Sequence, residues 1–301
     1  MSDHGMQHPE TPIIIIERDE EKSVQQHREQ EPRRRKWLKR LLWGLGFMGA
    51  MLLALATYKI SNYFYNIGIP VSVSPTENIK KLEVPAKRET SEVVMNSDSI
   101  LGVALDFYAL HGLHASIEFQ EPDTADLSIY LYCRCADHKP DGRYIGSLVA
   151  QGKDLQSDRS RLGYMAMTDK NMVIGISRSD KVKDYVLAQG GSFFRQFILV
   201  SDGVMPARFY LHGKVERRAI GRMGETLYYI ATRHKETLWD FADALREYGF
   251  IDAIYITGGT DYSFYRSVDG WRHDIGDIKD YPHKKWQGVI PWLVFRKGVD
   301  E

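Results

Sequence analysis

Cysteine is scarce: the chain of 301 residues has two, Cys133 and Cys135. No disulfide framework can therefore hold the fold, and no zinc-finger spacing occurs. The Gly-x-Ser-x-Gly elbow of serine hydrolases and the glycine-rich P-loop are absent too, which excludes those two routes to acyl and phosphoryl transfer. Net charge is lacking as well, with 40 Lys+Arg against 40 Asp+Glu. Residues 100–301 carry no long basic stripe, which argues against nucleic acid as a partner. No segment of 20–50 residues repeats, so solenoids and propellers are excluded.

Long apolar runs are also missing, with one exception. Residues 41–58 hold no charged side chain. With Trp37 and Leu38 before them and Ile60 after, they reach the roughly 20 residues that a bilayer-crossing helix needs. Lys39, Arg40 and Lys59 can snorkel from the ends, and Trp37, Trp43, Tyr58 and Tyr63-Phe64-Tyr65 suit the aromatic belts. Gly44, Gly46 and Gly49 would weaken a soluble helix but are tolerated in lipid. Arg33, Arg34, Arg35, Lys36, Lys39 and Arg40 precede the segment and Lys59 alone follows closely. This asymmetry predicts a cell-membrane protein with a cytoplasmic N-terminus and an extracytoplasmic C-terminal domain. The basic run then faces anionic lipid, so the bilayer is the first expected partner. Two rival readings are a buried core helix and a cleaved signal peptide ending at Ala54-Leu55-Ala56. The polar stretch before the segment is far longer than an ordinary signal's.

The expected organisation has four parts. Residues 1–36 are a polar, disordered cytoplasmic tail, broken only by Ile13-Ile14-Ile15-Ile16. Residues 37–60 are the transmembrane helix, 61–99 an extracytoplasmic tether rich in Ser, Thr, Glu and Lys, and 100–301 a globular domain large enough to bury a core. Within the domain, strands are expected over 101–110, 127–135, 197–200 and 226–232. Two more, 164–168 and 172–177, flank the turn Asp169-Lys170-Asn171. One helix is well marked: Thr237 caps it, Asp240 holds the capping-box position, Leu238, Phe241, Ala242, Leu245 and Tyr248 share a face, and Gly249 ends it. A buried strand, 253–256, follows and runs into Thr257-Gly258-Gly259-Thr260. Paired strands with segregated helices make the class α+β.

Chemistry concentrates in the last third. In order it carries Gln189-Gly190-Gly191-Ser192-Phe193-Phe194-Arg195, then Arg217-Arg218-Ala219-Ile220-Gly221, then the capped helix, then Thr257-Gly258-Gly259-Thr260-Asp261. Over roughly residues 170–264 this order resembles the phosphodiester glycosidase family, the group that includes the lysosomal mannose-phosphate uncovering enzyme. That family has an Asn-Gly-Gly-Phe-Phe turn, an Arg-Thr-Ala-Ile-Gly element and a strand ending Asp-Gly-Gly-Gly-Ser. The resemblance implies a phosphodiester glycosidase-like domain that hydrolyses sugar-1-phosphodiesters of envelope glycans or glycolipids. A phosphodiester is an anion, and an arginine fork suits it. Arg218 falls on the family's arginine, with Arg217 beside it. Gly190, Gly191, Gly258 and Gly259 match the turns whose N–H groups would approach the phosphate.

Several letters depart from the family. Thr257 replaces the Asp before the glycines, Thr260 the third Gly, Asp261 the Ser, and Gln189 the turn Asn, while Ser192 splits the Gly-Gly from the Phe-Phe. Thr257 cannot ionise, so Asp261 is the carboxylate left to activate water, alone or through a bound metal. The expected site is thus Arg218 and Asp261 for catalysis, with Gln189, Gly190, Gly191, Arg195, Arg217, Thr257, Gly258, Gly259 and Thr260 holding substrate. The cofactor is left open and no metal-ligand set is assigned: His111 and His114 sit in a strand and turn, and His234 in a loop. Cys133 and Cys135 share one strand face, too close to bridge without strain. The alternative is a non-catalytic glycan-binding or envelope scaffold module on the same fold, with Tyr262, Tyr265, Trp271, Trp286 and Trp292 lining a saccharide cleft.

Overall fold

The computed structural model describes residues 17–65, 74–87, 89–139, 141–209, 211–259, 261–276 and 290–298, with side chains in the first stretch from residue 35 to 59. The chain divides into two compact units, residues 1–64 and 65–301.

The described residues of the first unit form one helix, α1 (Glu17–Tyr65). Its Arg35–Lys59 stretch is long and apolar enough to cross a membrane, and none of it is buried. The helix begins at Glu17, inside the stretch expected to be disordered. Glu, Gln, Lys and Arg, which dominate residues 17–36, are good helix formers, so polarity there does not dictate a coil.

The second unit begins before the expected boundary. Ser74 Oγ accepts from Glu77 N at 3.2 Å and caps α2 (Pro75–Glu83), which has proline at its start. This short helix buries Leu82 and Asn78, and Asn78 Nδ2 donates to Tyr164 Oη at 2.6 Å. Next, β1 (Glu92–Ile100) pairs along its whole length with β2 (Val103–His111). Most of the expected 61–99 tether is therefore part of the domain. Its composition misleads for a physical reason: α2 buries two side chains and β1 is an edge strand, mostly exposed.

Three antiparallel sheets follow. The first has the spatial order β1, β2, β12 (Thr226–Thr232), β11 (Arg217–Met223), β13 (Asp252–Gly258), β10 (Ile198–Val200). The second runs β15 (Arg272–Ile275), β14 (Ser263–Arg266), β4 (Ile129–Arg134), β16 (Trp292–Lys297), β3 (Leu113–Glu118). The third runs β6 (Lys153–Gln156), β5 (Leu148–Ala150), β9 (Ser192–Gln196), β7 (Gly163–Met167), β8 (Met172–Ile176). The β7–β8 hairpin turns at Asp169-Lys170-Asn171, as the sequence pattern requires.

One apolar core joins all three sheets: Leu131 and Cys133 from the second, Met165 and Phe194 from the third, Ile220, Ile254 and Ile256 from the first. Side chains alternate along a strand, so the next residues of the first sheet face the other way. There Ala219, Tyr255 and Phe107 meet Leu238, Phe241 and Leu245 of α4 (Leu238–Tyr248). Thr237 Oγ1 accepts from Asp240 N at 3.0 Å, and Gly249 closes α4 at φ 107°. Another helix, α3 (Lys181–Ala188), packs Val182 and Val186 against Phe193 of β9. The central sheet is thus fixed on both faces, and its strand ends are rigid places to mount functional groups.

Candidate functional site at the end of β13

The pairing of β11 with β13 is regular except at one point. Arg217 stands opposite Gly258, and Ala219 opposite Tyr255. Two residues of β13, Ile256 and Thr257, therefore face the single Arg218. Such a bulge re-aims side chains and is common beside active sites. It brings Thr257 to Arg218 at the end of the strand.

Arg218 is buried. Its Nη1 donates to Gly259 O at 2.8 Å, and its Nη2 to Glu216 Oε2 at 3.2 Å and Asp261 O at 3.3 Å. Burial acts to lower its pKa, but Tyr229, Asp261 and Glu216 outweigh this and hold it above the ordinary value. Its Nε is buried with no hydrogen-bond partner among the described residues, as is the Thr257 hydroxyl, while the Tyr229 hydroxyl also lies against the Arg218 guanidinium. An unmet buried donor is costly, and each such atom asks for an explanation.

Arg217, the neighbour on β11, projects to the opposite face. Its Nε donates to Glu236 O at 3.0 Å, Nη2 to Gly213 O at 2.5 Å and Nη1 to Tyr255 Oη at 3.5 Å. These acceptors are neutral, and no carboxylate pairs with Arg217 among the described residues. A buried guanidinium held this way is ready for an anion.

Asp261 is buried beside Arg218, and its Oδ1 accepts from Tyr262 N at 3.0 Å. Its charge reaches across to β4, where burial first and then Cys135 and Asp261 push the Cys133 thiol well up. Both cysteines are free and buried in the central core. They are inert packing groups in this state.

A second carboxylate, Asp137, lies two residues past Cys135 and is close enough to Asp261 to feel its charge. Ile145 N donates to its backbone carbonyl at 2.8 Å, and a bridge pairs His138 with Tyr144, so the loop it opens is closed at its base. The side chain is partly buried. Burial and the Asp261 charge raise its pKa to about 6, against the lowering pull of Arg134, Arg217 and Arg161. Sequence reasoning passed over Asp137. Its one signal was an acidic residue just beyond an apolar strand, and nothing in the letters placed that strand's end near Asp261.

The earlier glycine turn is built differently. Gln189 caps the end of α3, and its N–H donates to Tyr185 O at 3.0 Å. Gly190 N donates to Leu187 O at 3.2 Å and Gly191 N to Val186 O at 2.9 Å. Gly191 also accepts from Gly152 N at 2.8 Å. This turn opens β9 in the third sheet, whereas Arg218 lies in the first. Arg195, further along β9, is fully buried and braces the chain around it. It donates to Ser177 O and Ser179 O at 2.7 Å each and pairs with Asp180 at 3.2 Å.

The structure thus brings together Arg218, Thr257, Gly258, Gly259 and Asp261, with Arg217 on the other face of the same strand end. It does not bring in Gln189, Gly190, Gly191 or Arg195. Thr260 lies outside the described residues. The expected role of the glycines as N–H donors is corrected for Gly190, Gly191 and Gly259, since Gly259 N already donates to Glu216 O at 2.9 Å. Gly258 is needed for space: a Cβ there would collide with Tyr255 Oη.

The aromatic cleft is corrected too. Tyr262, Tyr132, Phe264 and Trp292 form a core cluster, and Tyr265 is buried against Tyr108. Trp271 is exposed, and Trp286 lies outside the described residues. His111 pairs with Glu89 at 3.2 Å, His234 is exposed, and no three His, Cys, Asp or Glu side chains meet in a metal-holding group among the described residues.

Comparison of this architecture with solved structures finds the catalytic domain of zebrafish N-acetylglucosamine-1-phosphodiester alpha-N-acetylglucosaminidase, described as auto-inhibited by its pro-peptide. The TM-score is 0.50 at 13% identity, over 71% of this chain and 86% of that one. The two share a fold. A hypothetical protein from Synechocystis also aligns, with a TM-score of 0.42 at 9% identity, over 68% of this chain and 62% of that one. No known family's sequence profile matches the chain, and no curated protein matches it in sequence.

Proposed function

We propose that this chain is a membrane-anchored hydrolase of sugar-1-phosphodiester bonds, with its site where β11 and β13 end. α1 is the anchor, its basic flank is cytoplasmic, and the domain acts on envelope glycans or glycolipid phosphates on the far side. One observation carries the proposal: Arg218 and Thr257 stand on paired strands at the bulge, and Arg218 Nε and Thr257 Oγ1 are both buried with no hydrogen-bond partner among the described residues. A phosphodiester oxygen accepts from both. The Arg218 charge offsets the anion, and Asp261 takes the proton of the attacking water. Thr257 replaces the carboxylate of related glycosidases, so it serves here as a donor to the phosphate.

The test is Thr257→Val in the full-length protein in detergent, assayed on methyl diesters of glucose- and N-acetylglucosamine-1-phosphate. The change removes a hydroxyl that has no partner among the described residues, so thermal stability holds or rises. Turnover is expected to fall by about 100-fold, the usual cost of one oxyanion donor. Full activity in Thr257→Val would refute the site. Binding of these diesters by the wild type without turnover would favour the glycan-binding module instead.

A further inference from the structure

A cleft of about 880 Å³ opens at the other end of β11 from Arg218, where the strand reaches Arg222 and the turn into β12. Four residues of extended strand, ~13 Å, separate Arg222 from Arg218, so the cleft is not the site at the end of β13. Its volume falls in the range of small-ligand pockets, ~300–1,000 Å³. The floor is apolar: Leu110 of β2, Leu113 of β3, Val173 of β8 and Leu227 of β12 line it. One wall comes from the stretch expected to be a tether. It places Lys80 and Lys81 of α2, and Lys87 beyond it, at the cleft. All three lysines are exposed, and none forms an ion pair among the described residues. Arg222 is paired with Asp252 and Glu89 with His111, which leaves Glu225 as the one unpaired carboxylate lining the cleft among the described residues. The wall is fastened to the sheets behind it. Asn171 Nδ2 donates to Lys81 O and Val84 O at 3.1 Å each, Ala86 N to Lys170 O at 2.8 Å, and Ser91 Oγ to Gly112 O at 2.8 Å. Gly112 is required for this closure, because a Cβ there would collide with Glu89 O.

We propose that this cleft binds a phosphate-bearing amphiphile of the membrane, with its phosphate on Lys80, Lys81 and Lys87 and its chain against the apolar floor. Three unpaired ammonium groups on one wall favour an anion with several acceptor oxygens, and a phosphate head presents those. The apolar floor is satisfied only if the ligand also brings hydrocarbon. Neither a sugar nor a bare phosphate meets both conditions, and a lipid whose head is a phosphate does. The source follows from the order of the chain. α2 is the first described element after α1, so anchoring by α1 keeps lipid at high effective concentration for the domain. The assignment rests on the anchor and uses nothing of the hydrolysis. It gives the domain a lipid contact of its own, separate from α1 and from the proposed chemistry at Arg218.

The experiment is hydrogen–deuterium exchange on the full-length protein in nonionic detergent, titrated with dihexanoyl phosphatidic acid. Protection is expected to rise to a plateau over residues 80–87 and 222–227. In the triple variant Lys80→Gln, Lys81→Gln, Lys87→Gln, changed only at exposed positions, half-saturation should need at least about tenfold more lipid. Two comparison ligands on the wild type separate the two halves of the contact. Glycerol 3-phosphate keeps the phosphate and loses the chains. Dihexanoyl phosphatidylcholine keeps the chains and cancels the charge of its phosphate. Each is expected to bind at least about tenfold more weakly than the phosphatidic acid. The basic residues before the membrane segment also attract anionic lipid, but they are unchanged in the triple variant, and protection confined to them would overturn the proposal. Equal half-saturation in the triple variant would overturn it too. Equal binding of glycerol 3-phosphate would make the cleft a free-phosphate site, and equal binding of phosphatidylcholine an apolar groove blind to charge; either result contradicts the proposal. No protection in a folded wild type at any lipid concentration below micelle formation would do the same. Turnover of diesters enters none of these readouts, so failure here leaves the hydrolase reading untouched.

Discussion

Two Gly-Gly turns read alike in the sequence and do opposite things in the fold. Gly190-Gly191 ends a helix: its N–H groups bond back into α3, and its neighbour Arg195 is committed to the turn before that helix. Gly258-Gly259 ends a strand at a bulge, beside an arginine and a threonine with unmet polar atoms. Arg195 Nε is also buried without a partner, so one such atom does not mark a site. What distinguishes the second turn is convergence: the Arg218 guanidinium of β11, the Thr257 hydroxyl of β13 and Asp261 just beyond it. Glycines show where a backbone must bend or be approached. The atoms left unmet around them show where a ligand is wanted.

The comparison can be broken at either turn. The largest effect is expected from Arg218→Lys, which keeps the charge but loses the planar fork. Turnover of a sugar-1-phosphodiester should fall by about a thousandfold in kinetic assays. Gly191→Ala should leave chemistry alone and strike the fold. Its Cβ would collide with Met167 O, and denaturant melts should show a loss of about 3 kcal/mol.

Asp137→Asn sharpens the electrostatic side. A carboxyl whose folded pKa is raised binds its proton more tightly in the folded state. The folded state therefore loses stability as pH climbs from the unfolded value, about 4, to about 6, and the loss is constant above that. The asparagine variant should thus be more stable than wild type at pH 7, by on the order of 1–2 kcal/mol given partial exposure to water, with the gain gone below about pH 4. Thermal melts of the two proteins across this range check it. The smallest effect is Gly190→Ala. Gly190 has φ 70° and open space around it, so the cost should be about 1 kcal/mol of strain with kcat unchanged.

Local patterns carried much of the fold. The α4 cap, its apolar face and Gly249 are all in the letters, as are the β7–β8 hairpin and β12. The segment with little to bury was illegible: α2 and β1 hold so few core residues that composition suggests a tether. At the site, Arg217, Arg218 and the Thr257-Gly258-Gly259 turn were legible because they are contiguous. Asp137 was not, because it reaches Asp261 through the neighbouring places of β4 and β14 in the second sheet, a long-range pairing with no local signal. The opposed faces of Arg217 and Arg218 were implied by strand alternation, but only once β11 was known to include both. The bulge that sets Thr257 against Arg218 depends on a register no single strand encodes.

The most direct measurement is calorimetric titration of the full-length protein with a non-hydrolysable sugar-1-phosphonate, comparing wild type with Thr257→Val. Saturable binding to wild type is expected, weakened about tenfold or more in the variant while its melting temperature holds or rises. Equal affinity in the two proteins, or no binding to a folded wild type, would contradict a phosphate site built on Arg218 and Thr257.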